Sequence, residues 1–384
     1  MLDTMAERLA AAFERLGARV MAIDAEFVHE RRTDEDVVRD IRMFSPGLIV
    51  GMNLGGVAPV SGRWFPEHFD APFLSWLVDH PAYFMSAQSP LYRLRASPEY
   101  YIGCVDPLHL NFLERFYPSD RLLFLPHAGE PAQQNPIRFG DREPAAVLTA
   151  GLGRAIPKSA VSRDMESADE SGSWFRRAYR IVHDSTLMDV GLDVLHQIEG
   201  QMRLPASDRL DVLAYSIAAF QEIESRLRQE IRRTLLARVA DAEICRLDVY
   251  GDASWKDFAR PDGSVRYLGE LDYPSVRPVF ARYQYVLNPQ PPQTRNGSHE
   301  RVMDALSAGT LPMTLTNEFY RESFSNDIVH LRLLDDGVEA NLADDHDYPS
   351  RLAAAQSAFE RNHTWTARAR MLLDRFCGEE RSVA

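Results

Sequence analysis

Cysteine is scarce. Three in 384 residues, Cys104, Cys245 and Cys377, are scattered, odd in number and in no metal-binding spacing. That pattern excludes a disulfide framework and a cysteine-based zinc site, and a reducing compartment is the simplest setting for it. Positive charge is short too. The net charge of −13 argues against free nucleic acid as a partner. Long apolar runs are missing. The longest, Leu48 to Val60, is interrupted by Asn53 and three glycines, too broken to span a bilayer. The start, MLDTMAER, has early acids and no apolar core, so it does not read as a signal peptide. The expected setting is cytoplasmic, without a transmembrane segment.

What is present is ordinary in composition, 45% hydrophobic and 26% charged, and long enough for two domains. The first half alternates. Leu2–Leu16 has helical spacing and stops at Gly17; Arg19–Ile23 reads as a strand; Asp34–Phe44 reads as a helix capped by Thr33. Strands follow at Gly47–Met52, Phe73–Val78, Tyr101–Val105 and Leu122–Leu125, with a helix from Pro107 to Phe116. Short apolar strands alternating with helices imply a parallel sheet covered on both faces. Ligands of such sheets bind beyond the carboxyl ends of the strands, which nominates Asn53 to Gly56, Asp79, His80 and His127.

Pro126–Pro144 is rich in Pro, Gly, Gln and Asn and reads as a linker. A second alternating region starts at Ala146–Ala150 and runs into Gly151-Leu-Gly-Arg154-Ala-Ile-Pro-Lys158. A mainly helical stretch, Trp174 to Ala242, carries an apolar stripe through Leu213, Ile217, Phe220, Ile223, Leu227, Ile231 and Leu235. Strands resume at Arg246–Tyr250, Tyr267–Leu268, Tyr285–Leu287, Leu311–Thr314 and Ile328–Leu331, and one last helix is expected over 350–376. The chain thus divides at 1–140 and 141–384.

The most informative stretch is Tyr285 to Thr314: strand, glycine loop, short helix, glycine stop, strand. Ser298 is the expected N-cap, and Gly309 sits where a helix end needs positive φ. Asn288, Asn296, Gly297, Ser298 and His299 line the loop before the helix. Its N-terminus favours an anion, Arg301 lies in the first turn, and Asp304 follows one turn later. This pattern suits a sugar nucleotide: the helix end and arginine meet the diphosphate, and the carboxylate accepts from ribose hydroxyls. Arg154 and Lys158 follow the Gly151 turn. Tyr250, Gly251 and Gly269 end strands and would frame the base.

The segments "LDVYGDASW", "YLGELDYPSVRPVFARYQYVLN", "NGSHERVMDALSAGTLPMT" and "HTWTARARMLLDRF" resemble the C-terminal half of CgeB-like glycosyltransferases. "LGARVMAID", "FSPGLIVGMNLGG", "FLSWLVDHPAYF" and "LLFLPHAG" are similar, in order, to the accompanying N-terminal domain. The resemblance implies an α/β protein of GT-B architecture: two Rossmann-like domains, a helical insertion in the second and an interdomain cleft. It implies a glycosyltransferase that moves a sugar from a nucleotide-sugar donor to a hydroxyl acceptor, a glycan, protein or lipid-linked group, with Arg154 and Lys158 as cations for the diphosphate and without metal or other cofactor. The family opens with a strand before its first helix, whereas this chain begins at that helix. Related retaining enzymes carry two glutamates about two helical turns apart. Here the second position is Asp304 and the first falls near Asn296, which cannot ionise, so retaining and inverting outcomes both stay open.

Asp79, His80 and His127 are the candidate general bases, set against a structural role for Asp79 and His80 before the turn at Pro81. Asp34-Glu-Asp36 and Asp345-His-Asp347 match a metal-binding Asp-x-Asp but read as solvated structure. The arginines 226, 228, 232, 233 and 238 suggest a membrane-surface helix, but Glu222–Arg226 and Glu224–Arg228 are good i,i+4 pairs and favour a solvated helix face. The rival reading is a non-catalytic scaffold or binding protein of the same fold in surface-polysaccharide assembly. A nucleotide-sugar epimerase or hydrolase, with Asp79 as its acid, is a third.

Overall fold

The computed structural model describes residues 4–23, 34–85, 89–133, 137–152, 196–199, 210–334, 336–344 and 346–378. The chain forms two compact units. One comprises Met1–Ala128, Arg203–Leu213 and Asn362–Ala384; the other comprises Gly129–Met202 and Ala214–Arg361.

The first unit contains α1 (Thr4–Arg15), α2 (Asp34–Phe44), β1 (Ile49–Met52), a hairpin of β2 (Pro59–Val60) and β3 (Arg63–Trp64), β4 (Phe73–Leu77), β5 (Tyr100–Cys104), α3 (Pro107–Leu113) and β6 (Leu122–Phe124). The strands β1, β4, β5 and β6 pair in that order, all parallel. Every residue of β4 is buried, as a central strand covered on both faces requires. Arg19–Ile23, expected as a strand, is not one: Met21 and Ile23 are exposed, so the short apolar run has no sheet face to bury.

The second unit contains β7 (Glu143–Thr149), the long helix α4 (Leu210–Asp241) from Ala214 on, β8 (Arg246–Tyr250), β9 (Val265–Gly269), β10 (Tyr283–Asn288), α5 (Glu300–Ser307), β11 (Leu311–Leu315), α6 (Glu318–Phe324), β12 (Val329–Leu333), β13 (Val338–Ala340) and α7 (Tyr348–Asn362) as far as Arg361. Its sheet runs β13-β12-β11-β10-β7-β8-β9, parallel except for β13. From β9 to β12 this is the strand order 3-2-1-4-5-6 of a doubly wound sheet, and β7 and β10 flank its switch point. The α4 stripe is buried from Ile217 through Phe220, Ile223, Leu227, Ile231 and Leu235. Of the helical stretch expected over 174–242, residues 196–199 and α4 are helical; the rest, like the expected cap Thr33, lies outside the described residues.

The single helix expected over 350–376 is two. α7 ends at Asn362, and α8 (Trp365–Cys377) starts after Thr364, whose side chain accepts from the Ala367 N–H. The break is held by the buried Arg368, which donates to the carbonyls of Pro126 and Asn362 and lies 3.0 Å from His363 Nδ1. Burial, with Arg368 beside it, pushes His363 down to about 3, so its ring stays neutral. α8 lies in the first unit, where Trp365, Ala369, Leu372 and Phe376 share a core with Leu9, Ala12 and Trp76.

Candidate functional site

In the second unit the strand ends are crowded with backbone. Tyr250 closes β8, and its carbonyl accepts from Ala150 at 3.0 Å. Gly251 donates to Gly269 at 2.9 Å, and Tyr267 Oη donates to the Gly251 carbonyl at 3.1 Å. A Cβ on Gly251 would lie 2.2 Å from the Ala150 oxygen, so only glycine fits there. Gly269 has φ of 95°, the left-handed region that glycine enters without steric cost. One on Gly151 would lie 2.8 Å from Asp252 Oδ2. Arg154 and Lys158 lie outside the described residues.

The loop from Asn288 to His299 is built on buried amides. Asn288 is fully buried; its Nδ2 donates to Gln290 Oε1 and Thr314 Oγ1. Gln290 Nε2 donates to the carbonyls of Thr294 and Gly297, and Asn317 Nδ2 donates to Gly297 at 2.9 Å. Tyr320 Oη donates to Gln290 Oε1. The loop is therefore fixed by its own side chains and by α6. Asn296 Nδ2 donates to Glu318 Oε2 at 3.3 Å, so a carboxylate stands beside the position that cannot ionise.

α5 begins one residue later than expected. His299, not Ser298, is the N-cap: its Nδ1 accepts from the Arg301 N–H at 3.2 Å, while Ser298 is fully buried. A ring nitrogen does here what a hydroxyl usually does, which composition alone does not announce. The helix ends as expected, with Gly309 at φ 75°.

Arg301 spans the switch point. Its Nη1 donates to Asn288 Oδ1 at the end of β10, and its Nη2 donates to the Thr149 carbonyl at the end of β7, both at 2.8 Å. Its Nε is buried without a hydrogen-bond partner among the described residues. Burial lowers the guanidinium from its ordinary value, against Glu300, Tyr320 and Asp304, which raise it. Asp304, one turn on, is buried. The arrangement gives a cation, a helix N-terminus and a carboxylate at the place where doubly wound sheets bind nucleotides.

Sequence reasoning missed Gln290, Asn317, Tyr320 and Trp255. Trp255 Nε1 donates to the Ala150 carbonyl at 2.6 Å. The polar loop and the aromatic were visible, but their partners lie far along the chain.

In the first unit Asp79 and His80 follow β4. His80 is buried and caps the short helix at Pro81–Phe84, its Nδ1 accepting from the Ala82 N–H at 3.1 Å. Its ring packs 4.5 Å from His109 and 5.4 Å from Phe112. Asp79 is partly exposed and accepts from Asn53 Nδ2 at 3.4 Å. Asn53, at φ 52°, also accepts from the Val78 N–H. His127 is buried after β6. Asp36 pairs with Arg39, and Glu35 accepts from Ser61. Asp345 lies outside the described residues. Asp344, His346 and Asp347 gather in the open, where Asp344 accepts from the N–H groups of His346 and Asp347 ahead of α7.

Residues 228–374 match the family described as glycosyl transferase-like. The match runs from the middle of α4 through the switch-point loop and α5 into α8, and it supports a glycosyltransferase enzyme. No curated protein matches the sequence. Among solved structures, the chain is similar to a glycosyltransferase from Rickettsia africae ESF-5, at 9% identity and TM-score 0.48 over 97% of this chain and 93% of that one. It is similar to AviGT4, a glycosyltransferase involved in avilamycin A biosynthesis, at 11% identity and TM-score 0.46 over 97% and 88%. It is also similar to the sucrose-phosphate synthase of Thermosynechococcus elongatus, at 13% identity and TM-score 0.45 over 92% and 79%. No helix among the described residues is long and apolar enough to cross a membrane.

Proposed function

We propose that this chain is a CgeB-like, metal-independent glycosyltransferase of GT-B architecture. The second unit holds a nucleotide-sugar and the first supplies the acceptor side. The observation that carries the reading is Arg301, which joins the ends of β7 and β10 at the N-terminus of α5. As the bond from the anomeric carbon to the diphosphate breaks, negative charge grows on the leaving oxygen. Arg301, the N-terminal end of α5, and Arg154 and Lys158, which follow Gly151 in the sequence, stabilise it. Asp304 accepts from the ribose, and Tyr250, Gly251 and Gly269 border the base. Asn288, Asn296, Gly297, Ser298 and His299 hold the loop against the diphosphate.

Asp79 is the better general base of the first-unit candidates, since it is partly exposed while His80 and His127 are buried. His80 then serves as the cap that fixes the turn carrying Asp79. The test is incubation with a panel of nucleotide-sugars and acceptor extracts, reading release of the nucleoside diphosphate. Release with one donor supports the enzyme. Tight donor binding without turnover in any extract would favour the scaffold, and absence of binding would overturn both.

A further inference from the structure

The helix α4 brings an arginine to the same strand end. Three consecutive carbonyls leave the end of β7, and each is taken by a side chain from a different element. Thr149 accepts from Arg301 Nη2 of α5, Ala150 accepts from Trp255 Nε1, and Gly151 accepts from Arg232 Nη1 of α4. Two guanidinium groups thus sit on carbonyls two residues apart. Each has five N–H donors; among the described residues Arg232 spends one on Gly151 and Arg301 two, on Thr149 and Asn288, and both Nε atoms are buried without a hydrogen-bond partner there.

The pair is held together against repulsion. Burial, then Arg301 and Arg228, push the Arg232 guanidinium down to about 9, while Glu224 and Asp252 act to raise it. Glu224 is fully buried and bound to Arg228 by two hydrogen bonds, one of 3.0 Å from Nε. Asp252 accepts from the Ser254 N–H. The spacing Glu224, Arg228, Arg232 places all three on one face of α4, so the helix carries Arg232 to Gly151 as a fixed arm. Two like charges collected at one strand end are costly in the free protein, and an anion with two negative centres relieves that cost.

We propose that Arg232 is a second cationic ligand of the donor diphosphate, acting with Arg301 at the end of β7. The inference rests on the nucleotide-sugar reading and adds to it a residue from the long helix. The expected consequence separates binding from folding. Removing Arg232 relieves repulsion in the free protein while weakening the complex.

The experiment titrates Arg232→Gln by calorimetry with inorganic pyrophosphate, with the nucleoside diphosphate that most raises the wild-type melting temperature, and with the matching nucleoside. Loss of one charge-assisted contact should weaken both phosphate ligands about 10- to 100-fold, leave the nucleoside unchanged, and not lower the melting temperature. Arg232→Lys should recover part of the loss. If Arg232→Gln binds the diphosphate as the wild type does while Arg301→Ala does not, the inference fails and the nucleotide-sugar reading stands. If the wild type binds no diphosphate, both fail. Equal losses for the nucleoside and diphosphate would mark Arg232 as merely structural and overturn the proposal. Should Arg232→Gln not fold, Arg232→Met, which keeps the packed stem, is read by the same criteria.

Discussion

At the carboxyl end of β4, in the first unit, His80 caps its own helix, and Asp79 accepts from Asn53, which in turn accepts from the Val78 N–H. At the carboxyl ends of β7 and β10, in the second, two arginines from two helices reach across to carbonyls and an amide of other strands. The first arrangement satisfies neutral and acidic groups locally, as turns after strands do. The second collects like charges at a switch point, which costs stability unless an anion is to be bound there. Similar topology therefore carries a self-contained turn in one unit and a charged site in the other. The polar groups' partners, more than their types, tell the two apart.

Four perturbations sharpen that contrast, taken from the largest effect down. Asp79→Asn should lower kcat about 10²- to 10⁴-fold with donor affinity unchanged, measured once an acceptor is known. Full turnover in the folded variant would leave the first-unit end wholly structural. Gly251→Ala forces a Cβ to within 2.2 Å of the Ala150 carbonyl and 2.9 Å of the Trp255 ring. It should cost about 1–3 kcal/mol, read by denaturant unfolding; an unchanged midpoint would show that the second-unit strand end yields more easily than its packing implies. His80→Ala removes a cap and should destabilise the fold by about 0.5–2 kcal/mol while donor affinity holds. A loss of donor affinity at unchanged stability would contradict its structural role. EDTA should leave turnover unchanged, because cations of the chain neutralise the diphosphate; strict dependence on manganese or magnesium would break that account.

Much of the fold was legible because its signals are local. The strands of the second sheet, the α4 stripe and Gly309 at positive φ follow from short-range apolar pattern and backbone sterics. Arg19–Ile23 failed because its apolar residues found no sheet face, a tertiary fact. No proline or glycine marks the break at His363 in the sequence; the buried Arg368 that holds it donates to the Pro126 carbonyl. The site was legible by position and not by partner. Arg301 was placed by its helix turn, yet its bonds to Thr149 and Asn288 join strands distant in sequence. Arg232 looked like one cation of a solvated face because i,i+4 spacing with Glu224 and Arg228 is what such faces show; only packing against Gly151 distinguishes it. Asn296 beside Glu318 is of the same kind, two loop ends brought together by the sheet.

The central claim is that the second unit binds a diphosphate at Arg301. The direct measurement is calorimetric titration of Arg301→Ala with the nucleoside diphosphate that the wild type binds, alongside a thermal melt of the free variant. The account predicts a folded protein whose affinity has fallen on the order of 100-fold, the worth of a buried charge-assisted contact and its share of the anion's charge. Wild-type affinity in a folded Arg301→Ala protein would contradict it.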